Sequence, residues 1–170
     1  MNVNELFFTR FHKPRVDAIG SRWMSDNLVE TIIANLWQQH PRPQCHVVIM
    51  GDNNLRHLED DWQNVLRMMV NLVYRARDVP NSHVIVSTLM PSLENHKRCN
   101  PIFLEFDERL RHETILTPKH EVLDLGKSLR TKKGLIKDRF FENVHLNEMG
   151  AKLVAHQIFN KVTRTTISKK

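Results

Sequence analysis

At 170 residues and 20.1 kDa the chain has the length of one domain, and 41% hydrophobic with 26% charged residues excludes a disordered or membrane-embedded composition. A net charge of +6 and a pI near 9.6 suit an anionic partner without requiring one. Two cysteines, Cys45 and Cys99, give no disulfide framework. The ten histidines are scattered: His96 and Cys99 form one ligand-spaced pair with no second pair to complete a zinc site, so neither a metal nor another cofactor is expected. No apolar run approaches the roughly 18 residues of a membrane span. The start lacks the layout of a signal peptide, so an intracellular setting is expected.

Along the chain, Leu6-Phe7-Phe8 precedes a basic segment through Arg10, His12, Lys13 and Arg15, and Val16 to Ile19 reads as a short strand ending at Gly20. Ser25 or Asp26 then caps a helix with Leu28, Ile32, Leu36 and Trp37 on its buried stripe, stopped by Pro41 and Pro43. Cys45 to Met50 is apolar without alternation, as in a strand buried on both faces of a parallel sheet. It stops at the turn Gly51-Asp52-Asn53-Asn54. Leu55, Leu58, Trp62, Val65, Leu66, Met69 and Val73 follow at helical spacing, with acids in the first turns and Arg75 and Arg77 at the end, which matches the helix dipole.

Val84 to Leu89 is a second buried-type strand, closed by Pro91. Asn100 and Pro101 open a helix with Ile102, Phe106 and Leu110 inward. Glu121 to Leu125 reads as a third strand ending at Gly126, and 127–139 as a basic loop carrying Lys127, Arg130, Lys132, Lys133, Lys137 and Arg139. The last helix begins after His145, with Asn147 as its N-cap and Leu153, Val154, Ile158 and Val162 on one stripe. Residues 1–163 form the expected domain and 164–170 a frayed basic tail.

Strands alternating with helices, with no hairpin signal, predict an α/β domain with a parallel sheet covered on both faces. Chemistry in such folds gathers beyond the carboxyl ends of the strands. His145, at the mouth of a loop entering a helix, has Glu142 three residues before it, a pairing in which a carboxylate can orient a histidine base.

Three blocks give this pattern a family likeness: Ala18-Ile19-Gly20-Ser21-Arg22, Gly51-Asp52-Asn53-Asn54, and Glu142-Asn143-Val144-His145-Leu146-Asn147 with Gly150. In order and spacing the chain resembles the SGNH hydrolases, the GDSL-type esterases and lipases. The resemblance implies a three-layer α/β/α fold with a flavodoxin-like parallel sheet, here with its first strand missing. It assigns His145 as base, Glu142 in place of the usual aspartate, and Asn53 with the Gly20 N–H as oxyanion donors. Asn54 departs from the aspartate of the second block. The Gly-Asp-Ser nucleophile block has no counterpart, and Ser21 lacks the strand-to-helix elbow of a nucleophile.

The expectation is therefore a hydrolase-like domain whose ancestral or full-length chemistry is hydrolysis of a small carboxylic ester, inactive or very weak as written. The alternative is a non-catalytic domain of that type which binds RNA or another anionic partner. Arg22, Arg56, Lys127, Arg130, Lys132 and Lys133 would rim the site and bind such a partner weakly through its phosphates. No aromatic side chains interleave with them, so no base-stacking platform is expected.

Overall fold

Ser25 starts the first helix, α1 (Asp26–Gln39): its extended backbone leaves the helix and its Oγ accepts from the Leu28 N–H at 3.2 Å. The structure, a computed structural model, describes residues 24–42, 44–50, 54, 62–91, 101–116, 120–142 and 145–167. The predicted strand at Val16–Ile19 lies outside them, as do Gly51–Asn53 and the first turns predicted for the second helix. In α1 the buried stripe is Leu28, Val29, Ile33 and Leu36. Trp37, expected inside, is 50% exposed. The stripe runs through 29, 33 and 36, and position 37 falls outside that arc.

The three apolar runs pair as a parallel sheet of order β1-β2-β3, formed by β1 (Gln44–Val48), β2 (Ser82–Ser87) and β3 (Val122–Leu123). Val47 lies beside Ile85, and Val86 beside Val122. Helix α2 (Trp62–Ala76) joins the first two strands and buries Val65, Met68, Met69, Leu72, Val73 and Ala76, alternating steps of three and one. That stripe seats it on β2 and against α1, and Arg75 of α2 pairs with Glu30 of α1 on the surface.

Helix α3 (Pro101–His112) opens on a proline at its first position, where the missing N–H costs nothing. Its buried residues are Phe103, Phe106, Asp107 and Leu110, so an acid sits in the middle of the apolar stripe. Fully buried Phe106 and Leu110 each contribute about 1.5–3 kcal/mol of hydrophobic stabilisation, enough to carry one buried polar neighbour.

Beyond β3 the chain differs from the expected strand and loop. Leu125 does not continue the strand. Asp124 accepts from the Lys127 N–H at 3.0 Å and caps a one-turn helix, α4 (Leu125–Leu129), that includes Gly126. The run read as a loop then forms a bridge between Arg130 and Ile136 and a 3-10 turn over Asp138–Phe140. Strands β4 (Phe141–Glu142) and β5 (His145–Leu146) pair antiparallel. Asn147 then caps α5 (Glu148–Ile167) by accepting from the Gly150 N–H at 2.9 Å, as its position predicts. Gly150 sits where any Cβ would strike the Phe140 carbonyl, so a glycine is required there. Helix α5 packs on β3, α4 and β5. It continues through Arg164, and buried Thr165 donates to the Lys161 carbonyl within it.

Candidate functional site

Glu142 and His145 are direct partners across the β4–β5 pair. Side chains so placed share a face with Cβ atoms roughly 5 Å apart, which is the proximity the motif implies. Both are exposed, and no hydrogen bond or ion pair joins them among the described residues. A base held for proton transfer has its ring fixed by a partner; among the described residues this histidine has none. Gly20, Arg22 and Asn53 on the first two blocks, and Arg56 just after the second, lie outside the described residues.

Asn54 has a definite task. Its Oδ1 accepts from the Met24 N–H at 2.8 Å and its Nδ2 donates to the Met24 carbonyl at 3.0 Å. Only 4% exposed, it clamps the entry to α1. An aspartate could accept but not donate here. The departure from the hydrolase block is thus an amide required by a two-way contact.

The basic run divides in two. Arg130, expected on an exposed rim, is 6% exposed, because its guanidinium turns inward to Asp107 Oδ2 at 2.5 Å and to the Gly126 carbonyl at 3.0 Å. Asp107 is fully buried on α3 and also accepts from the Leu89 N–H at 2.8 Å. Burial pushes its carboxyl up to about 6, against the opposing pull of Arg130, the Leu89 N–H and Arg111. Arg111 binds Asp124 at 2.7 Å. Burial would raise Asp124 as well, but Arg111, the Lys127 N–H and Thr88 outweigh it and hold this carboxyl below its usual value. Gly126 packs against the pair so closely that a Cβ would strike both the Asp107 carboxylate and the Arg130 guanidinium.

The remaining cations face outward. Thr131 to Leu135 form a tight turn in which the Gly134 N–H donates to the Thr131 carbonyl at 3.0 Å and the Thr131 N–H to the Leu135 carbonyl at 2.7 Å. Gly134, at φ +75°, takes a conformation other residues enter only under strain, and it lies against Leu104 of α3. Lys132 and Lys133 occupy the tip, exposed. Lys127 is exposed on α4, Lys137 donates to the Ser128 carbonyl, and Arg139 stacks on the Phe140 ring at 4.7 Å. None of these five is in an ion pair among the described residues, whereas Arg67, Arg75, Arg77, Arg109 and Arg111 all are.

The described residues contain no cluster of histidine, cysteine or acidic side chains that could hold a metal. No helix among them is long and apolar enough to cross a membrane. A shallow groove on α2, lined by Leu66, Val70, Tyr74 and Ile115, gathers no catalytic set.

No family model matches the chain, and no curated protein does. Among solved structures it is similar to the OSK domain of Drosophila Oskar, with a TM-score of 0.59 and 15% identity over 78% of this chain and 69% of that one. At that identity the likeness is one of fold. These findings overturn the identification as an SGNH or GDSL-type hydrolase and the ester hydrolysis expected from it. No family model supports the three blocks, a solved structure that matches is the OSK domain, and the histidine meant to act as base stands exposed with no partner among the described residues. Short motifs of glycine, asparagine and histidine misled because caps and turns use the same residues, as Asn54, Asn147 and Gly150 do here.

Proposed function

We propose that this chain is a non-catalytic binding domain whose partner is a phosphodiester polymer, RNA foremost. The observation that carries the reading is the lysine-tipped turn at Lys132–Lys133, with Lys127, Lys137 and Arg139 on the same connection and, among the described residues, no acid paired to any of them. Lysine ammonium groups without carboxylate partners attract phosphates and release condensed counterions on contact. Phe140, on which Arg139 stacks, is buried, and residues 131–137 carry no aromatic side chain, so the lysines grip the backbone rather than read bases and binding depends little on sequence. The fold likeness to the OSK domain is of a mixed α/β type, in which α2 lies on β2 and α5 packs on β3.

The test is a fluorescence-anisotropy titration of a 20-base-pair RNA duplex and a single strand of equal length across a salt series. For about four phosphate contacts, duplex affinity falls roughly a hundredfold between about 50 and 200 mM salt. The double change Lys132→Ala with Lys133→Ala reduces the log–log slope by about 2. Binding that ignores salt, or a slope unchanged by the double substitution, would refute the reading.

A further inference from the structure

Given the polyanion-binding reading above, on which this rests, we propose that the buried Asp107–Arg130 ion pair, seated under Gly126, is the positioning device of the lysine turn. It fixes where Lys132 and Lys133 stand before a polyanion arrives.

Both feet of the turn are tied to the core. Arg130, the residue at one foot, is anchored to α3 through Asp107 and to α4 through the Gly126 carbonyl. At the other foot Ile136 is 5% exposed, and the Lys137 N–H donates to the Leu129 carbonyl at 3.0 Å. The residues between are closed by their own hydrogen bonds, including Leu135 N–H to Thr131 Oγ1 at 3.2 Å. An apolar residue at 130 would be buried at less cost than an arginine, and the attested use of a buried ion pair is to fix one geometry among several. Here that geometry is the base of a turn whose tip carries two cations with no ion-pair partner among the described residues. A lysine loop that had to be ordered on binding would lose affinity to that ordering, whereas a turn already held does not.

Positioning and contact leave different marks. Loss of a contacting lysine lowers the salt slope, because fewer counterions are released. Loss of the anchor weakens binding at every salt concentration and leaves the slope unchanged, because the bound state still contacts the same phosphates. The experiment measures duplex RNA affinity across the salt series for Arg130→Met, Arg130→Lys and Gly134→Ala, beside the double lysine variant. Amide hydrogen exchange is followed at Thr131, Gly134 and Leu135, with the sheet amides of Val86 and Thr88 as monitors of the fold.

Arg130→Met is expected to weaken binding about tenfold with an unchanged slope, with faster exchange in the turn, and Arg130→Lys to recover part of the loss. Should Arg130→Met fail to fold, Gly134→Ala, which strains only the turn, carries the test with the same expected signature. A wild type that binds neither RNA overturns the binding reading and this one with it. Binding that the lysine changes weaken, but that Arg130→Met and Gly134→Ala leave within about twofold, overturns the positioning role alone. So does wild-type exchange in the turn as fast as in an unstructured peptide.

Discussion

Two short hairpins follow one another along the chain, Arg130 to Ile136 and Phe141 to Leu146; the second reaches the core through Phe141 and Leu146, but only the first stands on a buried ion pair. The first stands on a buried ion pair, a glycine packed against that pair, and the contact of its turn with Leu104. The second presents Glu142 and His145 side by side on an exposed face with no bond between them. A histidine near a carboxylate is common on any surface; a fully buried aspartate paired with an arginine from a basic run is not. Placement by the rest of the fold, rather than residue type, separates the hairpin that can present a ligand site from the one that only carries a motif.

The sharpest way to break this contrast is to remove one partner of the buried pair. Asp107→Leu leaves the Arg130 guanidinium, 6% exposed, without its counter-charge, at a cost of about 3–5 kcal/mol. The double change Asp107→Leu with Arg130→Met restores an apolar contact and should recover most of that stability. Urea unfolding of the two singles and the double checks it. A double variant as unstable as the singles would show that the pair contributes more than mutual neutralisation.

A pH series sharpens the same region with a smaller effect. Asp107 has its carboxyl raised by burial to about 6, so between about pH 4 and 6 the native state holds this proton more tightly than the unfolded chain does. The contribution of this group to stability is therefore full below about pH 4 and is lost as the pH rises through about 6. A shift of that size corresponds to at most about 3 kcal/mol. The stability gap between the wild type and Asp107→Asn should narrow across that window. A gap constant from pH 4 to 7 would mean that Arg130 fully offsets the burial.

Much of this fold was legible in residue spacing. The unalternated runs at Cys45 and Val84, the stripe of α2, the proline start of α3 and the Asn147 cap all emerged as read, because each rests on local chemistry. The end of the third strand did not. Glu121 to Leu125 is apolar enough to be a strand, but Asp124 closes a capping bond and turns Leu125 into a helix. Arg130 was read as one more exposed cation because its partner lies 23 positions earlier. One signal could have found it. Asp107 falls between Phe103 and Leu110 on the inward stripe of α3, and an acid there requires a cation from elsewhere.

The smallest expected effect belongs to the second hairpin. Exposed cross-strand pairs contribute roughly 0.2–1 kcal/mol, and this pair lacks even a hydrogen bond among the described residues. In a double-mutant cycle on His145→Ala and Glu142→Gln the coupling should fall below about 0.5 kcal/mol, and each single change should alter stability by no more than about that amount. Neither should alter the salt slope for RNA, because His145 lies outside the lysine turn and Glu142 carries the wrong charge for phosphate. A coupling near 2 kcal/mol would mean that the two side chains hold each other in one fixed arrangement. The second hairpin would then be a built site like the first, and the distinction between them would fail.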